Sequence, residues 1–415
     1  MQNVDSSSSG SNIRKKLLIV TTEYFHPTRF RLHYFLPYLR ETFDIRIIAI
    51  ASLTHDLSPD KYEKTVSRKR ILFGLRRLAY ILTKMTNENT GELVVLRTPF
   101  PGVFPRWLYE LLTTLFAALV IRVRGIHRGF DACLATMHFA GFCALLAKMP
   151  LPIIYEDVDR CEYNYRGALA RRISRFVEGY CIRNSTQVIS AGYALAASAQ
   201  LLRGKKVHCV PNGADLKLFE DSEISTVAED RSALVYVGIL DNWSGLDVAI
   251  KAFALISSSF PDARLNIAGR GALSVKLRKL VTDLHVDDRV SFMGHVKYES
   301  IPQLLLNSGI GLATFLDSPL VRYAFAIKLV EYMAAGLPII ATDVGDTGRI
   351  VREAKCGLLV DTSDPTAISE AMIKLLEDRN LAEMFSRNGR NYVKRFDLKC
   401  LGQQEIEIIM NTIKQ

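Results

Sequence analysis

Arg322-Tyr323-Ala324-Phe325-Ala326-Ile327-Lys328-Leu329-Val330-Glu331-Tyr332-Met333-Ala334-Ala335-Gly336-Leu337-Pro338-Ile339-Ile340-Ala341-Thr342-Asp343 changes character midway. Helix formers run over 326–335, Gly336 suits the position just past a helix end, and the apolar run 338–343 reads as a buried parallel strand. Lys328 and Glu331 are three residues apart and project from one helical face, the cation nearer the helix N-terminus and the carboxylate one turn on. A nucleoside diphosphate suits that order, with phosphates at the N-terminal end and ribose hydroxyls on the carboxylate. The other reading is a surface ion pair, for which Lys preceding Glu is the less favourable order.

The same helix-then-apolar-strand alternation extends in both directions. Towards the N-terminus, apolar runs at 16–22, 45–51, 132–136, 152–155 and 187–190 read as strands, with a helix over 30–42 joining the first two. A second series follows at 233–238, 265–269, 290–294 and 309–313. The expected fold class is therefore α/β, two Rossmann-like, doubly wound parallel-sheet domains. Their hinge falls near Val210-Pro211-Asn212-Gly213, where Pro and Asn-Gly punctuate the chain. The expected division is a Ser-rich, disordered leader over 1–12, an N-terminal acceptor-side domain over 13–210, a C-terminal nucleotide-sugar domain over 211–384, and helices over 385–415 packing back on the first domain. Ligands of such sheets bind beyond the carboxyl ends of the strands, and with two facing sheets the expected site is the interdomain cleft.

Composition excludes several alternatives. At 415 residues, 49% hydrophobic and 23% charged, the chain is globular and not disordered or collagen-like. Its seven cysteines are scattered with no CxxC pair, so they read as reduced cytosolic thiols, and neither a zinc site nor another metal site is indicated. Residues 111–121 are the most apolar stretch, and 11 residues fall short of the ~20 a spanning helix needs. The net charge of +10 divides unevenly: residues 1–210 carry +14 and the remainder −4. Over 67–78 and 106–124 the cations alternate with Leu, Phe and Trp, as in helices that lie on anionic membranes; core-facing amphipathic helices with solvated basic faces are the other reading. Nucleic acid is a poorer partner, because these segments lack stacking arrays and the second half is acidic.

With these residues in view, the chain resembles the retaining glycosyltransferases of the GT-B fold, the glycogen-synthase-like class and especially glycosyltransferase family 4. Glu331 matches the second carboxylate of that family's Glu-x7-Glu motif, which holds the donor ribose; Tyr323 occupies the position of the first, and Lys328 stands by the phosphates as in a Phe-x-x-Lys-Leu-x-Glu-Tyr-Met-Ala-Ala-Gly variant. Val210-Pro211-Asn212-Gly213-Ala214-Asp215 is similar to the interdomain segment, and Arg289-Val290-Ser291-Phe292-Met293-Gly294 to the base-binding turn, which makes Gly294 a donor-site candidate. Cys356-Gly357-Leu358-Leu359-Val360 is similar to a late strand of the family.

Further candidates stand at other strand ends. Over 236–247, Gly238 ends a strand and Ser244 with Asp247 fits a capping box, so a helix is expected to start near Gly245 with its amides free for an anion. Ile239 and Ser244 occupy places where the family has Arg and Lys, which leaves Arg322, Lys328 or Arg270 for the diphosphate. Arg29 and Arg31 precede or open a helix, an end where positive charge calls for an anionic partner such as a donor or acceptor phosphate; a basic face in water is the alternative. His138 lies close to the family's active-site His, though a lone His is also a common structural residue. Asp157 and Asp159 are placed to orient an acceptor hydroxyl or to pair with Arg160 and Arg166.

The resemblance implies an enzyme that transfers a sugar from a nucleotide-diphosphate sugar to an acceptor glycan or lipid-linked saccharide, as in polysaccharide or glycoconjugate synthesis. No His/Asp metal cluster is visible, so neither a cofactor nor a metal is expected, and the scattered thiols with the basic first half point to a cytoplasmic protein held peripherally at the inner face of the membrane. A non-catalytic GT-B partner subunit and a GT-B epimerase or phosphorylase are the alternatives.

Overall fold

The computed structural model describes residues 14–22, 31–52, 92–98, 105–220, 232–361 and 363–415. By contacts the chain divides into two compact units, one of residues 1–156, 172–188 and 406–415, the other of 157–171 and 189–405.

The first sheet has the strand order β3-β2-β1-β4-β5-β6-β7. Its members are β1 (Lys15–Thr21), β2 (Phe43–Ser52), β3 (Leu93–Thr98), β4 (Ala132–Thr136), β5 (Ile153–Asp157), β6 (Gln187–Ser190) and β7 (His208–Cys209). β1 pairs in parallel with β2 on one side and with β4 on the other, so the direction of winding reverses between β1 and β4. Both central strands are buried on both faces, which is why they read as continuous apolar runs rather than as alternation. One face packs Leu18, Val20, Cys133 and Ala135 against Ala117, Ala118 and Ile121 of the helix Arg106–Arg124 and Ala140, Cys143 and Ala144 of the helix His138–Leu146.

The second sheet has the order β10-β9-β8-β11-β12-β13. It comprises β8 (Ala233–Val237), β9 (Arg264–Ala268), β10 (Val290–Gly294), β11 (Ile310–Ala313), β12 (Ile339–Thr342) and β13 (Gly357–Val360). Numbered within the unit, this is 3-2-1-4-5-6, the doubly wound order, with its switch point between β8 and β11. Period-two alternation sorts the side chains into two cores. Leu234, Tyr236, Leu265, Ile267 and Leu312 face one of them, and Val235, Ala313, Ile339 and Ala341 the other. The helix Ile327–Ala335 packs Leu329, Val330, Tyr332 and Met333 into the second core and ends at Gly336, whose φ of +75° is the left-handed cap expected from the sequence.

The fold class expected from the sequence is observed, α/β with two parallel sheets. The predicted strands are present, and the edge strands β3 and β7 are additional. The leader over 1–12, Arg29 and the basic segment 67–78 lie outside the described residues.

Candidate functional site

At the β8/β11 switch point the ladder covers only two residue pairs, Ile310 with Leu234 and Gly311 with Val235, so the strands part above them. Tyr332 fills the gap: its hydroxyl accepts from the Val237 amide at 2.9 Å and donates to the Leu312 carbonyl at 3.3 Å. Gly311 makes room for that ring, since a Cβ there would lie 2.6 Å from Tyr332 Cδ2. Lys328 and Glu331, from the same helix, are both buried at this end of the sheet. The Lys328 ammonium has no hydrogen-bond partner, Glu331 included. It lies 3.7 Å from the centroid of the Tyr236 ring and 5.0 Å from that of Phe315. Burial lowers its pKa to about 7, with Glu331 acting in the opposite direction; burial likewise raises Glu331 to about 7 against the pull of Lys328.

Glycine is required beside this cation. Gly238, just past β8, has φ +146°, and a Cβ on it would fall 2.8 Å from Lys328 Nζ. Its amide donates to Ala268 O, and the amide of Gly269 donates to Gly294 O, so the ends of β8, β9 and β10 are stitched in a row. Gly294 closes β10 at a register shift. Gly245, not Ser244, is the N-cap of the helix Leu246–Ile256 and has no side chain to cap with, while Ser244 Oγ accepts from the Leu246 amide at 3.5 Å. The expected Ser244–Asp247 capping box is therefore replaced by a left-handed glycine at φ +65°, while buried Ser244 accepts from Thr314 Oγ1 through its carbonyl. The N-terminus of the helix Ile327–Ala335 carries no side-chain cap.

The other predicted residues of this unit are engaged elsewhere. Arg322 is exposed, and its guanidinium donates twice to Asp317, at 2.8 and 2.7 Å. Tyr323 lies under the Arg160 guanidinium, 5.3 Å from its ring centroid. Arg160 binds both oxygens of fully buried Asp157, at 2.9 and 3.1 Å, and Ser190 donates to Asp157 as well, so this carboxylate is spent on structure. Asp159 accepts from the Arg160 amide, and burial raises it to about 6.

In the first unit, Arg31 is buried and its guanidinium pairs with Glu156 at the end of β5 and lies over the Phe35 ring. That internal carboxylate is the anionic partner its position required. His138 opens its helix directly after Met137, whose φ of +72° is unusual for a side-chain-bearing residue. The imidazole is buried, with Nε2 3.2 Å from Ser174 Oγ and Nδ1 unpartnered. Burial, and then the nearby Arg106, lower its pKa to about 3, so it is neutral at physiological pH.

The structure thus brings together Gly238, Lys328 and Glu331. Tyr236, Phe315, Tyr332 and Ser174 were missed. The legible signal for Tyr236 was a tyrosine in the otherwise aliphatic run leading into Gly238.

Comparison with known proteins agrees with this geometry. Residues 219–392 match the family model described as glycosyl transferases group 1. Phosphatidyl-myo-inositol mannosyltransferase of Mycolicibacterium smegmatis is 26% identical over 201 residues, which is 48% of this chain and 50% of that protein. The chain spans about half the length of the curated relatives it matches. Among solved structures, sucrose-phosphate synthase from Thermosynechococcus elongatus superposes with a TM-score of 0.71 at 17% identity, covering 96% of this chain and 99% of the other. HepE from Anabaena in complex with UDP-glucose does so with a TM-score of 0.66 at 17% identity, covering 95% and 99%. The match to the glycosyl transferases group 1 model is confined to residues 219–392, and the two parallel α/β sheets have the GT-B fold of these solved structures.

Proposed function

We propose that the protein is a retaining glycosyltransferase, taking a sugar from a nucleotide-diphosphate sugar and passing it to a lipid-linked saccharide or related glycoconjugate precursor. The observation that carries this reading is the buried Lys328 ammonium, which has no protein acceptor and lies beside an uncapped helix N-terminus and Gly238, on which a Cβ would fall 2.8 Å from it. A buried cation with unused donors is complete only with an anion, and a diphosphate supplies one. Glu331, one helical turn on, is placed to accept from the ribose hydroxyls. UDP-glucose is the ligand of one structurally similar protein.

In the reaction the bond between the anomeric carbon and the diphosphate oxygen breaks, and its electron pair leaves with the diphosphate. Lys328 and the helix amides stabilise that developing charge from positions fixed beforehand. The acceptor hydroxyl then attacks from the face just vacated, and its proton passes to a departing phosphate oxygen.

A lipid acceptor is supported by the helix Arg106–Arg124, which exposes Leu115, Leu119 and Val123 between Arg106 and the terminal Arg122 and Arg124. This pattern suits an anionic bilayer surface. No described helix is long and apolar enough to cross a membrane. Incubation with α-linked UDP-, GDP- and ADP-sugars followed by proton NMR of the product tests the reading: an α-anomer is expected, and a β-anomer overturns retention.

A further inference from the structure

Buried lysines are ordinarily neutralised by a carboxylate or spend their donors on carbonyls. Lys328 feels the charge of Glu331 but bonds neither it nor a carbonyl: its ammonium has no hydrogen-bond acceptor and rests on aromatic faces, 3.7 Å from the Tyr236 centroid and 5.0 Å from that of Phe315. A ring face attracts a cation through its quadrupole without accepting a hydrogen bond in a fixed direction, so the ammonium is held while its N–H bonds stay available.

Both rings are themselves fixed. The Tyr236 hydroxyl donates to Ile239 O at 3.0 Å, and its ring lies in the core that contains Leu240 and Leu246. Phe315 stacks on Trp243 at 6.0 Å between centroids, and its backbone is bonded at both N and O to Thr342 Oγ1. Gly238 sets no side chain against the ammonium, where a Cβ would fall 2.8 Å from Nζ.

We propose that Tyr236 is a positioning residue, its ring forming with that of Phe315 an aromatic seat that holds the Lys328 ammonium, donors unspent, for the oxygens of a diphosphate. This rests on the reading of Lys328 as a donor-site residue and adds the device that keeps the cation in place before the ligand arrives. Preorganisation of this kind means that little reorganisation accompanies binding or departure of the diphosphate.

Two measurements on the full chain test it. In protein carrying ¹³C-labelled lysine, NMR reads the ring-current shift of the Lys328 ε-methylene, assigned by its loss in Lys328→Ala. Titration calorimetry with UDP, GDP and ADP reads diphosphate binding. The ε-signal should be displaced upfield in the wild type and in Tyr236→Phe, and should move to the ordinary lysine position in Tyr236→Leu. Affinity for the tightest of the three nucleotides should be kept within about twofold in Tyr236→Phe and fall about tenfold in Tyr236→Leu. Adding Tyr236→Leu to Lys328→Ala should cost nothing further. If Tyr236→Leu does not fold, Phe315→Leu, which removes the more distant ring, should give a smaller shift and a smaller loss. An unshifted ε-signal in the wild type, or Tyr236→Leu binding as tightly as the wild type, overturns the seat. A wild type that binds none of the three, or a Lys328→Ala protein that binds them undiminished, overturns the donor-site reading and the role proposed for Tyr236 with it. The ring-shifted signal, measured without ligand, tells these two failures apart.

Discussion

Thr342, the last residue of β12, bonds Phe315 twice through one hydroxyl: Oγ1 accepts from the Phe315 amide at 2.7 Å and donates to the Phe315 carbonyl at 2.8 Å. The loop after β11 is thereby tied to the next strand through the residue whose ring faces Lys328. Thr342→Val preserves shape and removes both hydrogen bonds to the Phe315 backbone. It should lower unfolding free energy by about 1–3 kcal/mol in urea melts and weaken nucleotide binding, while Thr342→Ser should restore most of both. A valine variant as stable as the wild type would mean that the loop is held by other contacts.

The Lys328–Glu331 pair sets a pH dependence whose sign follows from burial. Lys328 falls from the ordinary 10.5 to about 7, so between pH 7 and 10.5 only the unfolded chain holds that proton; the cost of the buried cation is full below pH 7 and fades as pH rises. Glu331 rises from 4.5 to about 7, so the folded chain keeps a proton that the unfolded chain loses above pH 4.5; this cost is absent at low pH and full above pH 7. The two overlap near neutrality. The double variant Lys328→Met/Glu331→Gln should therefore gain thermal stability over the ligand-free wild type most near pH 7, and less towards pH 4.5 and pH 10. A gain that does not vary with pH contradicts this.

Gly238→Ala places a methyl where the Lys328 ammonium now lies, at a backbone φ of +146°. Strain at such a position costs about 1–3 kcal/mol, so a modest loss of stability is expected. The displaced ammonium should also reduce nucleotide affinity. Calorimetry showing undiminished binding would mean that the cation has room to move without consequence.

The exposed stripe Leu115, Leu119 and Val123 should carry the protein to anionic vesicles at low salt. Replacing all three with Ser should abolish co-flotation, because apolar burial adds to an electrostatic attraction of about 1 kcal/mol per basic residue. Flotation unaffected by the substitutions would assign membrane contact to other residues or to none.

The fold was legible because buried parallel strands are continuous apolar runs, and the helix Ile327–Ala335 carries both its period and its Gly336 stop in sequence. β7 went unseen because two residues leave no pattern, and β3 because it lies on the sheet edge, next to β2 alone. Within the candidate site, the shared helix of Lys328 and Glu331 was readable from their spacing. Arg322 and Arg31 were misleading for one reason: the carboxylates they bind, Asp317 and Glu156, are chosen by tertiary structure, and Glu156 is 125 residues from its partner. Tyr236 escaped because an aromatic in a core strand looks like packing until the cation above it is located.

The most direct test of the central claim, that Lys328 and Glu331 form the donor site of a glycosyltransferase, is titration calorimetry of UDP-, GDP- and ADP-sugars against the wild type, Glu331→Gln and Lys328→Ala. At least one donor should bind the wild type, Glu331→Gln should lose about 1.5–3 kcal/mol of that affinity, the range for hydrogen bonds to charged groups, and Lys328→Ala should also bind more weakly. No binding by the wild type, or equal binding by all three proteins, would contradict the account.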